Sequence, residues 1–594
     1  MRKTILLSGL IQAIFIGLLS AQSTYYVKSN GTGDGSSWSN AMGDLQLAIN
    51  TASDEATNSG EMVRVFVAAG TYVPTVERKT GDPRSVSFVM RNKVEIYGGF
   101  SSTGDPTFTD RDPGSYPTIL SADIGKADSL GDNAYQLIRN DFDSDDELDS
   151  TAILDGFILE KAYSEGGSSI YGTAIFCYYA SPVFRNCSIS SEDGSLIYMS
   201  RSSATFSGCS MNGFSGDEIM HIGAGKEDDY VEVRLVNCEV KDNDTENPLI
   251  EVNYYATIIV DSCLFSGNQA TSLSFNWYTN CLVENSVFEN NYSPRENAGV
   301  FLFWTAENSD YYIIRNSSFI GNVSGYSGGI IYATSSDPIE ISNCLFANNS
   351  TEDGDAGVAY MYSTDFRIDN CTFFNNTVHG NGSRGATFVN SDYFQGELII
   401  NNSIIWGEQG DQIAIISDAP TTVTNSLVKL ADGEVALPGE NNLNEYPQFV
   451  DSTAGDFRLK SFSPCINAGS NELYVGDFLK DVDLWGNPRF YEDGVIDMGC
   501  HEYQGAKTTI SVGENILTEN LSVYPNPATS TLNVEVGGEQ VQCLQIFTNT
   551  GRLVSRTENP GSELDISTLA PGLYLLKANT GASESTARFI KLDR

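Results

Sequence analysis

The sequence predicts an all-β, elongated solenoid followed by a small C-terminal β-domain, and three observations lead to this fold class. A short phrase of apolar, Asn and Cys or Ser residues returns about every 27 residues through the middle of the chain. The 594 residues include 55 Gly and 29 Tyr, a composition typical of turn-rich β structure. After Tyr503 the chain passes through a polar stretch into a segment with a different pattern.

The repeated phrase consists of an apolar residue, a spacer, usually Asn, then Cys or Ser, another spacer and a second apolar residue. Its copies begin at Phe184, Phe206, Leu235, Val260, Val283, Ile314, Ile341, Ile368, Ile400 and Val423. A repeat of about 27 residues is long enough for three short strands and three turns, which close one coil of a parallel β-solenoid. Each coil pairs with the next about 4.8 Å away. Leucine-rich spacing and the Trp-Asp signature of propellers are absent, which favours the solenoid.

Residues at one position of successive coils are expected to stack into ladders along the solenoid. The small residue between the two apolar positions should form an inward stack in which free thiols are favoured over disulfides. Its members are Cys187, Cys209, Cys238, Cys263, Ser286, Ser317, Cys344 and Cys371. The preceding Asn should form a neighbouring polar ladder of Asn186, Asn237, Asn285, Asn316, Asn343, Asn370, Asn402 and Asn425.

A second strand of the coil begins with small residues, as at Ala298, Gly328, Ala356 and Gly385. A Phe-x-x-Asn phrase precedes it, and its Asn is expected to take the left-handed turn geometry at a corner. These residues are Asn268, Asn291, Asn322, Asn349 and Asn376. Segments of variable length should gather on one side as loops, where binding usually resides.

The N-terminal end of the solenoid needs a cap, because open sheet edges expose unpaired backbone groups. Leu45, Ala48 and Ile49 predict an amphipathic helix over residues 40–50, with Ser39-Asn40 as its N-cap. Strands are expected to follow at 63–68 and 94–97.

Residues 1–21 match the pattern of a secretory signal peptide, with Arg2 and Lys3 before an apolar run and Ala21 at a small-residue cleavage site. No later stretch is long and apolar enough to span a bilayer, so the expected mature protein has no transmembrane segment and lies outside the inner membrane. The net charge of −43 would repel phosphates and anionic membranes, so nucleic acid is not an expected partner.

Several segments resemble the choice-of-anchor Q group of pectin-lyase-like parallel β-helix proteins. They are YYVKSNGTGDGSSWSNAMGDLQLAI from Tyr25, VEIYGGFSSTGDPTFTDRDPGSYPTILSADI from Val94, SPCINAG from Ser463 and DVDLWGNPRFYEDGVIDMGCHEY from Asp481. The resemblance implies a right-handed parallel β-helix domain over residues 22–503, with an N-terminal cap and a C-terminal closing segment, and implies little about activity. The Phe-x-x-Asn and Gly-Gly phrases also resemble polymorphic outer membrane protein repeats, a family linked to adhesion.

The C-terminal segment LSVYPNPATSTLNVEV, with PGLYLLKANTG and the late Lys591, resembles the type A sorting domain of type IX secretion. Apolar alternation over residues 532–536 fits a small Ig-like β-sandwich at 521–594, after a linker at 504–520. The resemblance implies that the type IX secretion machinery of a Gram-negative bacterium is a partner. It also implies passage across the outer membrane, removal of the domain, and release or attachment at the cell surface.

No catalytic residue can be assigned from the sequence. A polysaccharide lyase needs cations around the acid of its substrate, and the 34 Lys and Arg residues form no cluster along the chain. A glycoside hydrolase needs two opposed carboxylates, but 77 acidic residues make some pair inevitable. His221, His379 and His501 are expected to be surface or turn residues.

Two function hypotheses therefore stay open. The first is a glycan-binding protein or adhesin that uses exposed aromatic rings, since such rings stack on sugars. The binding candidates are Trp277, Tyr278, Trp304, Tyr311, Tyr312 and Tyr360. The second is a polysaccharide lyase or glycoside hydrolase on the same scaffold.

Two smaller predictions concern the closing segment. Asp481, Asp483 and Asn487 offer oxygen ligands that would suit Ca²⁺, the only cofactor candidate, although the same pattern is typical of a side chain that caps its own turn. Cys465 and Cys500 both lie in this segment and are the candidate disulfide in an oxidising destination.

Overall fold

The structure is a computed structural model that describes residues 22–164, 173–304, 311–334, 336–380, 384–391, 396–416, 419–430, 437–476, 481–491, 494–505, 521–536, 540–548, 553–580 and 584–592. The predicted signal peptide lies outside the described residues, as does most of the predicted linker. The chain winds into a parallel β-helix with three long sheets, whose apolar side chains meet in one core along the axis. The predicted solenoid is confirmed.

The three sheets run the length of the β-helix, and each coil adds a strand to them in parallel register, as Val260 pairs with Val283 and Val283 with Ile314. The first sheet contains Thr24–Val27, Val63–Ala68, Val94–Phe100, Ile153–Asp155, Val183–Arg185, Thr205–Ser207, Val231–Val236, Ala256–Asp261, Thr279–Glu284, Tyr312–Arg315, Ile339–Ser342, Phe366–Asp369, Leu398–Asn401 and Thr421–Thr424. The second sheet contains Gly70–Tyr72, Thr118–Ser121, Ile158–Glu160, Ser188–Ile189, Ser210–Asn212, Glu239–Lys241, Leu264–Ser266, Val287–Glu289, Ser318–Ile320, Leu345–Ala347, Thr372–Phe374, Ile404–Trp406 and Leu427–Val428. The third sheet contains Ile138–Asp141, Ile175–Tyr178, Ser195–Ser200, Glu218–Gly223, Ile250–Asn253, Leu273–Phe275, Phe301–Trp304, Ile331–Thr334, Ala359–Tyr362, Phe388–Ser391 and Ile413–Ile416.

Shorter elements fill the corners and ends. Two-residue strands pair between coils at Ser215–Gly216 and Asp244–Thr245, and at Tyr292–Ser293, Val323–Ser324, Ser350–Thr351 and Thr377–Val378. An antiparallel pair, Phe449–Asp451 with Asp456–Leu459, belongs to the closing segment. Single 3₁₀ turns occur at Trp38–Asn40, Pro83–Ser85, Phe108–Asp110, Leu130–Asp132, Glu227–Asp229 and Ser452–Ala454.

The inward apolar positions of the second sheet form a ladder of stacked aromatic rings. Its members are Phe265, Phe288, Phe319, Phe346 and Phe373, all fully buried. Consecutive ring centroids lie 4.6 to 5.2 Å apart with the planes nearly parallel. Burial of each such ring stabilises its coil by about 1.5–3 kcal/mol, which is why the second apolar position of the repeat is so often Phe.

The predicted inward ladder of Cys and Ser residues is confirmed. The backbone N–H of Cys263 donates to the Ser286 hydroxyl at 3.1 Å, and that of Cys344 donates to the Cys371 sulfur at 3.4 Å. All the predicted ladder cysteines are free and buried. A small side chain with one acceptor atom therefore satisfies the N–H group of the preceding coil, which explains why Cys and Ser alternate there.

Cys465 and Cys500, the candidate disulfide, are both free thiols in the structure and are buried in the closing segment. The two residues have different neighbours: the backbone N–H of Cys500 donates to the Thr372 hydroxyl at 3.1 Å, and that of Cys465 to the Ser463 hydroxyl at 3.2 Å. Both residues belong to one hydrophobic cluster of the closing segment. The disulfide stays a prediction.

The two Asn positions of the coil differ in role. At the first, the Asn343 amide donates to the Asn316 carboxamide oxygen at 2.8 Å, as the predicted polar ladder requires. The Asn of the repeated phrase takes the left-handed backbone conformation in copy after copy, as Asn316 and Asn370 do with φ of 51° and 54°. The Asn of Phe-x-x-Asn was expected to do this, and that expectation was wrong. The left-handed residue is the one before it, for example Asn348 with φ of 57°.

The Asn of Phe-x-x-Asn is instead fully buried and forms an internal amide ladder through Asn268, Asn291, Asn322, Asn349 and Asn376, which Asn243 extends by one coil. The Asn322 amide donates to Phe288 O at 2.8 Å and to the Asn349 carboxamide oxygen at 3.1 Å, and its own oxygen accepts from the Asn291 amide at 2.8 Å. Each side-chain amide thus forms hydrogen bonds with backbone groups at a corner of the coil, where strand pairing does not supply a partner.

The N-terminal cap is an α-helix over Leu45–Ser59. Its N-cap is Asp44, whose carboxylate accepts the Leu47 N–H at 3.0 Å, so the predicted N-cap at Ser39-Asn40 was wrong. Residues 38–40 form a separate 3₁₀ turn, and the Trp38 indole N–H donates to Pro106 O at 2.8 Å. Leu45 and Ile49 of the helix are buried against the first coil, as expected.

The C-terminal domain has two antiparallel sheets with their own hydrophobic core. One contains Leu521–Tyr524, Thr531–Val536 and Glu563–Asp565, and the other contains Cys543–Thr548, Leu553–Glu558, Gly572–Asn579 and Glu584–Lys591. Leu532, Val534 and Val536 are buried between the sheets, as the alternation predicted. The expected small β-sandwich is therefore confirmed.

Candidate ligand-binding face of the third sheet

The outer surface of the third sheet carries a row of side chains that stack from coil to coil. Arg139 pairs with Phe176, Phe176 with Tyr198, Tyr198 with His221, and His221 with Glu251. Residues in parallel register point to the same side of a sheet, so all five lie on one face. We call these five residues the outer row.

The two aromatic rings of the outer row lie between two basic side chains. The Arg139 guanidinium is 4.4 Å from the Phe176 ring centroid, and Phe176 and Tyr198 stack at 5.5 Å. The Tyr198 ring then stacks on the His221 imidazole at 5.1 Å with 13° between the planes. This stack holds the imidazole plane in place on the outer face.

A bulge brings Glu218 and His221 to the same face. Residues three apart in a regular strand point to opposite sides. The N–H groups of Ile219 and Met220 both donate to Leu249 O, at 2.8 and 2.9 Å, so an extra residue is inserted in the strand. Glu218 therefore lies beside His221 on the outside of the sheet.

His221 lies between two carboxylates. Its Nδ1 atom is 3.8 Å from Glu218 and 3.6 Å from Glu251, and 28% of its side chain is exposed. Burial opposes protonation of the imidazole, but the nearby carboxylates of Glu218 and Glu251 outweigh it and raise the pKa of His221 to about 9. The cluster thus holds a positive charge between two negative ones. His221 lies on the outer surface of a strand, in agreement with the expectation of a surface residue.

Further along the same sheet lies an aromatic patch formed by Trp304, Tyr332 and Tyr360. Tyr332 and Tyr360 are paired in register and stack at 5.3 Å, while the Trp304 ring lies 6.5 Å from Tyr332. Trp304 is 51% exposed, and the two tyrosines are partly exposed. Two of the predicted binding residues, Trp304 and Tyr360, are therefore brought together on one face, joined by Tyr332, which the sequence did not single out.

Three other predicted binding residues lie at the corner before the first sheet. Trp277 is 46% exposed and lies edge-on to Tyr254 at 6.2 Å, and the partly exposed Tyr278 stacks on Tyr255 at 4.5 Å. Tyr311 is partly exposed at the same corner one coil later, with its N–H 3.3 Å from the Asn280 carboxamide oxygen. These residues form a second aromatic group at a corner of the coil, whereas the aromatic patch lies on the third sheet.

Tyr312 is not a surface residue, which corrects the expectation of an exposed ring. It is 1% exposed and lies 4.8 Å from the Phe303 ring, with its hydroxyl 3.0 Å from the Thr279 hydroxyl. Tyr312 pairs in register with the buried Cys281, so it must point into the core. In the Tyr-Tyr pair only strand register decides which ring is inside.

The predicted Ca²⁺ ligands Asp481, Asp483 and Asn487 share one turn, but they are engaged with other partners. The Asp483 carboxylate accepts the N–H groups of Asn487 at 2.8 Å and Glu502 at 2.9 Å. Asp481 accepts the Tyr474 hydroxyl at 2.8 Å. The arrangement is that of a capped turn, and the Ca²⁺ site stays a prediction.

Charged side chains are buried together behind this turn. Arg489 is 1% exposed and lies among Asp483, Asp497 and Glu502, all nearly inaccessible. Burial and repulsion by Asp497 raise the pKa of Glu502 to about 8, and burial raises that of Asp497 to about 6. His501 is also buried, accepts the backbone N–H of residue 459 through Nδ1 at 3.3 Å, and has a lowered pKa because of that burial. It is neither a surface nor a turn histidine.

These raised pKa values predict that the closing segment loses stability as pH rises. Folded Glu502 keeps its proton to a higher pH than unfolded Glu502, so the stabilisation is complete below pH 4.5 and is lost as pH rises through about 8. The slope would reach at most about 1.4 kcal/mol per pH unit for this one group. Denaturation midpoints between pH 5 and 8 should fall less steeply in Glu502→Gln than in the parent chain. Glu340→Gln, at an exposed glutamate, should leave the slope unchanged; a parental slope in Glu502→Gln would contradict the assignment.

The structure also gathers basic residues that are separated along the chain. Arg78, Lys79, Arg84 and Arg139 line a groove of about 550 Å³, with only two acidic residues, at the N-terminal end of the outer row. The Arg84 guanidinium lies 4.3 Å from the Tyr135 ring. The expectation that the basic residues form no cluster holds along the sequence but is wrong in space.

Comparison with known protein families identifies two regions. Residues 168–322 match the right-handed beta helix region family, and residues 522–592 match the secretion system C-terminal sorting domain family. Comparison with curated proteins found no match. Within the described ranges, no helix is both long enough and apolar enough to cross a membrane.

Solved structures with a similar chain path include two proteins. Pectate lyase Pel9A is 14% identical, with 81% of this chain and 97% of that chain covered and a TM-score of 0.25. PfbA, a surface adhesin of Streptococcus pneumoniae, is 10% identical, with 62% of this chain and 91% of that chain covered and a TM-score of 0.27.

Fold and family matches together define a right-handed parallel β-helix protein that carries a C-terminal sorting domain. That domain marks it as a secreted or cell-surface protein exported by type IX secretion.

Sequence reasoning missed most of the outer row. Phe176, Tyr198 and Glu251 lie at intervals of 22 to 53 residues, so no local motif joins them. Alignment of coils by the third sheet, rather than by the Asn-Cys phrase, would have placed them in one register. Glu218 could not have been found in this way, because only the bulge brings it to the outer face.

Proposed function

We propose that the exported β-helix binds an extended polysaccharide along the outside of the third sheet, as a surface or released glycan-binding protein. The observation that carries the proposal is the aromatic patch, in which Trp304, Tyr332 and Tyr360 follow one another on successive coils of one face. Rings repeated at the coil spacing of about 4.8 Å offer a polymer of sugar rings one contact per coil.

The chemistry of the patch suits a carbohydrate. Trp304 is half exposed, so apolar ring surface is available to the C–H face of a sugar. The two tyrosines stack on one another and are partly exposed, and a tyrosine hydroxyl can exchange hydrogen bonds with sugar hydroxyls. A rigid strand holds each ring, so little conformational entropy is lost on binding.

Charge favours a neutral polymer at this patch. The chain carries a net charge of −43, and anionic polymers would be repelled over most of the surface. We therefore expect binding that changes little with salt, in contrast to an electrostatically driven complex.

The test is retention on a panel of plant and algal polysaccharides, with and without Ca²⁺. Trp304→Ala and Tyr332→Ala should each weaken binding by about tenfold, equivalent to about 1.4 kcal/mol, because each removes one ring contact. Tyr326→Ala is the matched control, since Tyr326 is 50% exposed and lies outside the third sheet.

Equal binding by all three variants would refute the aromatic patch as the binding site. Release of products with new reducing ends or unsaturated ends would show that the protein is instead a glycoside hydrolase or a polysaccharide lyase. The same assay with and without Ca²⁺ also tests the ion predicted at the closing segment.

A further inference from the structure

One cluster on the third sheet has the composition of a metal site. Within the part of the chain that the structure describes, Glu218, His221 and Glu251 are the one group of three or more His, Cys, Asp or Glu residues whose ligand atoms all lie within 4.8 Å of one another. The group combines an imidazole nitrogen with two carboxylate oxygens, and it does not depend on the aromatic patch.

The spacing of the three side chains fits an ion between them. The His221 Nδ1 atom is 3.8 Å from the Glu218 oxygen and 3.6 Å from the Glu251 oxygen, both longer than a direct hydrogen bond. Zinc bonds of about 2.0–2.2 Å at tetrahedral angles place two ligand atoms roughly 3.3–3.6 Å apart. Small side-chain adjustments would therefore bring all three atoms to bonding distance.

The surroundings orient the ligands. The Ser195 hydroxyl donates to Glu218 Oε1 at 2.8 Å, and the Tyr198 ring stacks on the imidazole at 5.1 Å. Glu218 and His221 lie on one strand, joined by the bulge, and Glu251 lies on the strand of the next coil. Partners that hold metal ligands in this way are a regular feature of metal sites.

The electrostatics also favour a cation. Glu218 is nearly buried, and Glu251 is 28% exposed, so their negative charges are only partly screened by water.

We propose that Glu218, His221 and Glu251 bind one Zn²⁺ ion on the outer face of the third sheet. Carboxylate and imidazole are both accepted zinc ligands, and three protein ligands leave a fourth tetrahedral position for water or for a group of a bound molecule. Ca²⁺ and Mg²⁺ are disfavoured, because they prefer sites made only of oxygen and with more ligands. The site lies directly on the outer row, so its open position faces the same surface as the aromatic rings.

The test uses the full exported chain, freed of metal, and titrates it with Zn²⁺ and separately with Co²⁺. Calorimetry should show one Zn²⁺ per chain, and Co²⁺ should give visible absorption bands from a site of nitrogen and oxygen ligands. His221→Ala should weaken binding by about 100-fold or more, since it removes a direct ligand. Glu251→Gln keeps the size of the side chain and should also weaken binding.

Controls separate ligation from unspecific effects. His379→Ala changes an exposed histidine outside the cluster and should leave both titrations unchanged. A circular dichroism melt checks that His221→Ala still folds, and Glu251→Gln provides a second variant if it does not. Absence of Zn²⁺ binding in the parent chain, or equal binding in parent, His221→Ala and Glu251→Gln, would overturn the proposal.

Discussion

Deletion of residues 521–594 is expected to leave the protein in the periplasm and to abolish its appearance on the cell surface and in the medium. Residues 522–592 match the sorting domain family, so the deletion removes the segment that addresses the chain to type IX secretion. The β-helix should still fold, because its core and the core of the C-terminal domain contain separate sets of residues. Immunoblots of periplasm, outer membrane and medium measure the outcome.

The converse construction supplies the control. Residues 504–594 fused behind a signal peptide and a soluble periplasmic reporter should carry the reporter out of the cell. A deleted protein that reaches the medium in undiminished amount would contradict export through this domain. Loss of the deleted protein through misfolding and degradation must be distinguished from failure of export. Circular dichroism of the purified β-helix, compared with that of the full chain, shows whether the deleted protein folds.

Asn322→Leu is expected to be among the most destabilising single changes in the β-helix. Its carboxamide donates to Phe288 O and Asn349 Oδ1 and accepts from the N–H and the side chain of Asn291. Leu fills similar space but leaves these groups buried without partners. Each unsatisfied buried group costs about 1–3 kcal/mol, so the total loss should be on the order of 4 kcal/mol or more.

Denaturant midpoints followed by circular dichroism measure this loss, with hydrogen exchange to locate it. Because coils contact only their neighbours, we expect the amides of the adjacent coils to lose protection first. Asn58→Leu is the matched control: the same replacement at an exposed helix position should change stability by no more than about 0.5 kcal/mol. Equal midpoints for Asn322→Leu and the parent would show that the amide ladder contributes little.

The two Asn ladders illustrate how the sequence predicts coil geometry and where it fails. Asn recurs at two positions of each coil because one position needs a left-handed backbone and the other needs a buried carboxamide. Asn suits both the left-handed backbone and the buried carboxamide, so the residue type alone does not distinguish Asn316 from Asn322. Only the position of the turn relative to the strand decides between them.

The sequence by itself determined the period, the three-sheet solenoid, the inward thiol and hydroxyl ladder, the helical cap and the C-terminal β-domain. The solenoid features repeat in every coil, so their pattern can be recognised in the sequence, and the cap and the C-terminal domain each have a distinctive local pattern. The tertiary structure alone decided which aromatic rings face outward and which distant residues meet. Arg139, Tyr198 and Glu251 become neighbours because stacking coils turns separations of tens of residues into one strand spacing. Strand register sets that contact, and the bulge before His221 adds Glu218 to it.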